Sequence, residues 1–197
     1  MNNWLDIRRG EAALIVTFPH TGTDLADVGD AFRSPWIARA DADWWVDQLY
    51  AFACDLGATT IRTAISRSVI DVNRDPSGAS LYPGQATTEL CPTTDFDGAP
   101  LYAGAVPDAA EIDRRRANWF TPYHAALPAE IDRLRARHDR VVIYDAHSIR
   151  SIVPRLFDGA LPQFNIGTNF GTTCSPELTA EVARLCAASG MSHVVDG

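Results

Sequence analysis

Two of the five histidines follow short apolar runs, a position that often carries functional side chains. His20 comes soon after residues 12–18, and His147 comes soon after residues 141–145. Both runs are continuous and rich in branched residues, as is typical of buried strands. Since ligands bind beyond the carboxyl ends of strands in open α/β sheets, both histidines are candidates for a binding or catalytic site. The alternative is a hydrogen-bonded structural histidine at each strand end.

Metal binding is the chemistry that these two histidines fit best. Histidine is the commonest metal ligand in proteins, and its second ring nitrogen usually needs a carboxylate or carbonyl partner. Asp145 lies two residues before His147, on the same face of an extended strand, so it can orient that ring. A zinc site with two histidines usually takes a carboxylate as its third ligand. The candidates for that ligand are Asp24, Asp41, Asp43 and Asp47, and their spacing does not choose among them.

A second polar group follows the apolar run of residues 59–65. Residues 66–75 place two arginines, an asparagine and an aspartate around a single Val-Ile pair. A guanidinium can bind a carboxylate through two parallel hydrogen bonds, so Arg67 and Arg74 can hold an acidic substrate. Arg150 adds a third arginine near the predicted metal. The alternative for this segment is a surface loop of ion pairs.

Helical spacing is found in three parts of the chain. It predicts an amphipathic helix over residues 41–56 and a second helix over residues 176–188. From residue 108 onward the pattern is helical again, but Pro122 and Pro128 predict two helices or one with a break. His124 lies on the apolar stripe of this last segment and is either a core residue or a site residue.

Strand candidates alternate with these helices. Beyond the three apolar runs, residues 164–168 and 192–195 are further candidates, whereas residues 75–107 lack a clear period and predict a long loop that is either functional or disordered. Alternation of strands and helices predicts an α/β fold with a largely parallel sheet. A length of 197 residues suits one domain, residues 1–197.

Composition excludes several functions. The 17 basic and 25 acidic residues give a net charge of −8, which argues against a nucleic-acid partner because phosphate binding needs a basic surface. All the basic residues are arginine, so a lysine Schiff base is excluded. No apolar run approaches the roughly 18 residues of a membrane span, and the N-terminus lacks a secretory signal, so we expect a cytoplasmic protein without a membrane partner. The four cysteines form no C-x-x-C pair and are expected to be free thiols.

Taken together, these segments resemble the N-formylglutamate amidohydrolase (N-formylglutamate deformylase) family. The resemblance covers most of the chain in order, and the combination of motifs makes it specific. The matching segments are Pro19-His20-Thr21-Gly22-Thr23, Asp41-Ala42-Asp43-Trp44 before Leu49-Tyr50, Ser66-Arg67, Asp71-Val72-Asn73-Arg74, Pro122-Tyr123-His124, Asp145-Ala146-His147-Ser148-Ile149-Arg150, Leu156-Phe157-Asp158-Gly159 and Phe164-Asn165-Ile166-Gly167-Thr168.

The resemblance implies a metal-dependent hydrolase that converts N-formyl-L-glutamate to formate and L-glutamate in histidine degradation. It implies a three-layer α/β/α fold with a mostly parallel mixed sheet, similar to zinc carboxypeptidases. Zn²⁺, or another divalent metal, is then expected on His20, Asp43 and His147. The residues expected to face a small dicarboxylate substrate are Arg67, Asn73, Arg74, Arg150 and His124. The alternatives are a hydrolase of another N-acyl acidic amino acid and a non-catalytic carboxylate-binding relative.

No glutamate in the sequence has the surroundings of a general base. Only six glutamates are present, and four of them fall in helical patterns where a solvated face explains them. The resembling family continues beyond the equivalent of Gly197 with a further strand and a glutamate-bearing segment. We therefore expect the general base beyond Gly197 and a chain truncated at its C-terminus.

Overall fold

The computed structural model describes residues 4–77, 89–155 and 158–196. The chain divides into two compact units, Met1–Ile149 and Arg150–Gly197. Each unit is described by itself. This division does not decide between one domain and two, so the single domain over residues 1–197 stays a prediction.

The first unit is built on a four-stranded mixed sheet with the strand order β1-β3-β2-β4. Its central strand β2 is parallel to both of its neighbours, and β1 is antiparallel to β3. The three apolar runs form β2, β3 and β4 as predicted, whereas β1, a short edge strand with alternating polar residues, was not predicted. The bounds are β1 Leu5–Arg8, β2 Leu14–Phe18, β3 Thr59–Thr63 and β4 Val142–Asp145.

The register of the parallel strands brings the two candidate histidines to one edge. Thr17 of β2 is opposite Asp145 of β4, so both strands end at the same level of the sheet. The chain therefore leaves these neighbouring strands side by side, and His20 and His147 lie just beyond their carboxyl ends.

A long helical segment packs on one face of the sheet. It consists of α3 (Ala109–Arg115), a π-helical turn (Arg116–Phe120) and α4 (Thr121–Arg135). The expected interruption takes the form of the π turn, which ends just before Pro122, and Pro128 lies inside α4 without ending it. Ile15 and Ile61 of the sheet, Tyr123 and Leu134 of α4, and Val72 of the loop after β3 form one buried cluster.

The predicted amphipathic helix over residues 41–56 is wrong. The structure has only α2 (Val46–Leu49) and a 3-10 turn (Ala51–Ala53) there, preceded by another short helix, α1 (Ile37–Ala40). Trp45 has a left-handed backbone with φ of 66°, which interrupts any continuous helix. The residues of the supposed apolar face are exposed: Trp45, Leu49, Phe52 and Leu56.

The second unit contains a helix and two parallel strands. Helix α5 (Pro176–Ala188) has the predicted bounds, and the Ser175 side chain caps it by accepting a hydrogen bond from the Leu178 N–H. Strands β5 (Phe164–Ile166) and β6 (His193–Val195) pair with each other. Both were predicted, with slightly longer bounds.

Part of the predicted long loop lies outside the described residues, namely residues 78–88. In the described remainder, an isolated bridge joins Tyr102 to Phe32, and another joins Thr94 to Pro100 within the loop itself. Leu156 and Phe157, from one of the resembling motifs, also lie outside the described residues. In the described part of the chain, the helices are too short or too polar to cross a membrane.

Candidate metal centre

His20, Asp43 and His147 converge at the carboxyl edge of the sheet. Each offers one ligand atom, and these atoms all lie within 4.8 Å of one another. The Nδ1 atoms of the two histidines face the same oxygen, Oδ2 of Asp43, at 3.8 Å for His20 and 3.0 Å for His147. His20 and Asp43 are almost completely buried. The predicted convergence of the two histidines is confirmed, with Asp43 as the third member.

The structure also shows why Asp43 is chosen among the four candidate aspartates. The other three have partners elsewhere: Asp24 accepts from the Ala26 N–H, Asp41 from the Phe96 N–H, and Asp47 pairs with Arg62. Asp43 is instead tied to the first histidine, because its N–H donates to the His20 carbonyl oxygen at 2.9 Å. Tertiary contacts thus distinguish Asp43 from the other three candidate aspartates, which the sequence spacing did not.

The segment after β2 is held closely against the end of β3. The Asp24 N–H donates to the Ala64 carbonyl oxygen and the Ser66 N–H donates to the Asp24 carbonyl oxygen, both at 2.9 Å. Gly22 lies in the same place, where an added Cβ would come within 2.4 Å of the Ala64 carbonyl carbon. Only glycine permits this approach, which places the turn that follows His20.

A second carboxylate holds the outer nitrogen of each histidine. Nε2 of His20 donates to Oδ1 of Asp71 at 2.6 Å, and Nε2 of His147 donates to Oδ2 of Asp145 at 3.0 Å. Such partners select the ring tautomer and its orientation in metal sites. The predicted orienting role of Asp145 therefore has the expected contact. In both rings, Nδ1 is the nitrogen directed to Asp43.

Sequence reasoning did not identify Asp71 as a residue of the site. Its Oδ2 accepts from Arg67 at 2.8 Å, and its Oδ1 accepts from the Asn73 N–H at 2.9 Å. Burial opposes ionisation of Asp71, but its interaction with His20, which includes a hydrogen bond, and the charge of Arg67 outweigh burial and hold the pKa of Asp71 well below its usual range. The available signal was the spacing of Arg67 and Asp71, four residues apart around an apolar pair.

The two histidines have opposite electrostatic environments. Burial, together with the charge of Arg67, lowers the pKa of His20, so this ring stays neutral. Burial also disfavours a charge on His147, but the carboxylates of Asp145 and Asp43 outweigh it and raise its pKa to about 9. In the absence of a metal, a proton on His147 therefore balances part of the negative charge of the cluster.

The donor set fits a divalent metal of the zinc type. Nδ1 of His20 is buried and has no hydrogen-bond partner within the described ranges. A buried polar atom left unpaired is costly, and coordination of a cation would satisfy it. Two imidazole nitrogens and one carboxylate oxygen are the protein ligands of many catalytic zinc sites, which keep a further position open.

The predicted substrate-binding residues lie at different distances from this cluster. Nδ2 of Asn73 is 3.0 Å from Nε2 of His147 and donates to Asp145 at 3.2 Å. Arg67 is buried against Asp71, and Nε of Arg74 lies 3.7 Å from the same carboxylate.

Two further residues, His124 and Arg150, were also predicted to face the substrate. Nε2 of His124 donates to the Val72 carbonyl oxygen at 2.7 Å, beside Asn73, and its ring packs on Phe120. Arg150 is the first residue of the second unit and is exposed. All five substrate contacts stay predictions.

Among the described residues, the cluster contains no glutamate. Glu111 pairs with Arg114 and Arg115, and Glu130 pairs with Arg9 and Arg133. Both glutamates therefore hold the long helical segment rather than the site. The identity of the general base stays a prediction.

Fold and site together define an α/β protein with a candidate metal centre at the carboxyl edge of a mainly parallel sheet. The family model for N-formylglutamate amidohydrolase matches residues 12–197, and the chain belongs to this family. This finding confirms the family that the sequence motifs indicate.

Two curated relatives carry the name N-formylglutamate deformylase. The protein of Pseudomonas aeruginosa is 46% identical over 200 residues, which cover 100% of this chain and 75% of that protein. The protein of Pseudomonas putida is 43% identical over 200 residues, which cover 100% of this chain and 74% of that protein.

Solved structures share the fold. N-formylglutamate amidohydrolase from Ralstonia eutropha JMP134 has a TM-score of 0.78 at 26% identity, covering 98% of this chain and 75% of that one. A gene product from Agrobacterium tumefaciens has a TM-score of 0.76 at 16% identity, covering 98% and 72%, which shows a common fold alone. The predicted α/β class with a mixed sheet is confirmed.

Proposed function

We propose that this protein hydrolyses N-formyl-L-glutamate to formate and L-glutamate and that it uses a divalent metal ion as cofactor. Zn²⁺ is the metal ion that we propose first. The observation that carries the proposal is the convergence of His20, Asp43 and His147 in a member of the N-formylglutamate amidohydrolase family. The names of the two Pseudomonas relatives support the same substrate.

The three ligands would present two imidazole nitrogens and one carboxylate oxygen to the metal. When bound, such a metal polarises the formyl carbonyl and lowers the pKa of a water molecule to about 7. The protein's own contribution is orientation. Asp71 and Asp145 hold the outer ring nitrogens, so the inner nitrogens point to a common position before any ligand arrives.

Positive charge beside this position suits a substrate with two carboxylates. Arg67 donates a hydrogen bond to Asp71, so we assign to it the role of keeping that carboxylate ionised and in place. Arg74 lies on the same turn and is less buried, and we assign to it and to Asn73 the first contacts with a substrate carboxylate. Arg150 and His124 are proposed as further substrate residues.

Formate release with a matched pair of variants tests this function. We expect formate release from N-formylglutamate to be lost with a chelator and to return with zinc. His20→Ala should abolish both zinc binding and turnover. His138→Ala is the control, because Nε2 of His138 donates to the Glu11 carbonyl oxygen, outside the site.

Three results would contradict parts of the proposal. Activity that survives complete removal of metal would contradict the proposed dependence of hydrolysis on a metal ion. Preference for an N-formylaspartate or N-acetylglutamate substrate would support the alternative of another N-acyl acidic amino acid. Zinc binding without turnover of any of these compounds would support a non-catalytic relative.

Finer assignments belong to the same proposal. We propose a three-layer arrangement similar to zinc carboxypeptidases, a role in histidine degradation and a cytoplasmic location. The parallel strands that carry the ligands at their carboxyl ends support the first. The four free cysteines support a reducing compartment: Cys54, Cys91, Cys174 and Cys186.

A further inference from the structure

Thr17 lies on β2, three residues before the first candidate ligand, and its side chain is buried. Its hydroxyl donates to Oδ1 of Asp145 at 2.5 Å. The other oxygen of the same carboxylate accepts from Nε2 of His147 at 3.0 Å. The two oxygens of Asp145 thus have different partners: Oδ1 accepts from Thr17, and Oδ2 accepts from the candidate ligand His147.

This row of hydrogen bonds lies where two neighbouring strands end. Thr17 of β2 is opposite Asp145 of β4, and His147 follows β4 by two residues. Thr17, Asp145 and His147 therefore form one row of hydrogen bonds within the first unit.

From this row we propose that Thr17 is a positioning residue for the metal centre, acting on His147 through Asp145. A carboxylate held at one oxygen only can rotate about its Cβ–Cγ bond. The Thr17 hydroxyl holds Oδ1, so Oδ2 stays within hydrogen-bond distance of Nε2 of His147. Residues that orient ligating histidines in this way typically change metal affinity by 10- to 100-fold when they are removed.

The inference rests on the proposed metal-dependent function, and it concerns a residue that makes no contact with the metal position itself. Thr17 offers a clean test because its hydroxyl and its methyl group can be removed separately. Thr17→Val keeps the shape and removes the hydroxyl. Thr17→Ser keeps the hydroxyl and removes the methyl group.

The experiment measures the zinc dissociation constant by competition with a chromophoric chelator, and the visible spectrum of the cobalt-substituted protein. We expect Thr17→Val to bind zinc about 10- to 100-fold more weakly, with a changed cobalt spectrum, and Thr17→Ser to stay within about threefold of the parent. Thr60→Val, in the neighbouring strand β3, is the control and should bind zinc normally.

Two outcomes would overturn the inference. Unchanged zinc affinity in Thr17→Val would show that the row does not orient His147. Equal losses in Thr17→Val and Thr17→Ser would assign the effect to packing. If Thr17→Val does not fold, Thr17→Ala takes its place, and it should bind zinc more weakly than Thr17→Ser; equal affinities of these two variants would overturn the inference.

Formate release from the parent protein separates this inference from the proposed function. If zinc affinity depends on Thr17 but the parent protein does not release formate, the positioning role is supported and the proposed function is contradicted. A protein that releases formate with unchanged affinity in Thr17→Val would retain the function and lose the positioning role.

Discussion

Nε2 of His20 donates a hydrogen bond of 2.6 Å to Oδ1 of Asp71, and both side chains are almost inaccessible to solvent. The carboxylate also accepts from Arg67, so ring, carboxylate and guanidinium form a connected buried row. Because an ionised carboxylate can only accept, it selects the tautomer in which Nδ1 of His20 carries no proton. The ring thereby presents a lone pair to the candidate metal position.

Replacement of this carboxylate should therefore weaken metal binding. Asp71→Asn keeps the shape of the side chain but removes the charge that holds the His20 tautomer. We expect the zinc dissociation constant to rise by about 10- to 100-fold in a chelator competition. Asp27→Asn removes the same charge from a surface ion pair with Arg114 and should leave the constant unchanged. Equal affinities in the two variants would contradict an orienting role for Asp71.

Arg74 should affect substrate binding more than folding. Loss of a hydrogen bond to a charged group costs about 1.5 to 3 kcal/mol, so Arg74→Ala should raise KM for N-formylglutamate by roughly ten- to 150-fold. Arg74→Lys should rescue poorly, because an ammonium cannot bind a carboxylate through two parallel hydrogen bonds. Steady-state kinetics check this, with Arg184→Ala on the exposed face of α5 as the control. A normal KM in Arg74→Ala would remove this residue from the substrate site.

Gly22 should tolerate no side chain. An added Cβ would lie 2.4 Å from the Ala64 carbonyl carbon and the same distance from the Ile65 carbonyl oxygen, both of which are backbone atoms. We expect Gly22→Ala to lower the free energy of unfolding by about 1–3 kcal/mol in urea denaturation, and to weaken zinc binding by moving His20. Gly104→Ala is the control, since an added Cβ there meets nothing within 4 Å. Equal stability of both variants would show that the turn can move.

Replacement of Trp45 by glycine should stabilise the protein. A left-handed backbone costs an L-residue roughly 1–2 kcal/mol, and Trp45 is 64% exposed, so it recovers little of this cost by burial. Trp45→Gly should raise the free energy of unfolding by about 1 kcal/mol or less, because glycine also adds entropy to the unfolded chain.

Trp36→Gly is the matched control for Trp45→Gly. Trp36 also contacts Trp44 through its ring and is 68% exposed, but its backbone is right-handed. Trp36→Gly should therefore lower the free energy of unfolding. If both glycine variants lose stability equally, the turn after Asp43 carries no strain.

Glu111 should contribute stability that depends on pH. Its hydrogen bonds with Arg114 and with the buried Arg115 lower its pKa to about 2, below its ordinary value near 4.5. The contribution is therefore complete above about pH 4.5 and disappears as the pH falls toward 2. We expect Glu111→Gln to be less stable than the parent by about 1–2 kcal/mol at pH 7, with the difference closing at low pH.

Urea denaturation at a series of pH values measures this dependence. Glu181→Gln is the control, because Glu181 pairs with Arg184 on the surface of α5. Its stability should follow that of the parent at every pH. A Glu111→Gln deficit that persists unchanged to pH 2 would assign the effect to packing rather than to charge.

The positions of His20 and His147 could be predicted from the sequence alone. Parallel strands buried by their neighbours appear as continuous apolar runs, and such runs precede both histidines. The same reasoning located β2, β3, β4 and α5, because strand and helix periods are local properties of the chain. Family motifs spread along the chain then indicated the N-formylglutamate amidohydrolases, which the family match confirms.

Tertiary structure decided which residues meet these histidines. Asp43 could not be separated from three other aspartates by spacing, because its place depends on a hydrogen bond to His20 and on the left-handed turn at Trp45. Both features also prevent the helix that the apolar spacing of residues 41–56 predicted. A periodic pattern shows which side chains share a face, but it does not show whether that face is buried.

Asp71 and Thr17 depended on tertiary structure to the greatest degree. The spacing of Arg67 and Asp71 indicates an ion pair but not its histidine partner, and a strand threonine has no distinctive local pattern. The partners of Asp71 and Thr17, His20 and Asp145, lie 51 and 128 residues away along the chain. The two histidines could be predicted as candidate ligands because their chemistry is rare and their position at strand ends is local. The groups that orient those ligands could not, because hydrogen bonds between distant segments exist only once the sheet has brought the segments together.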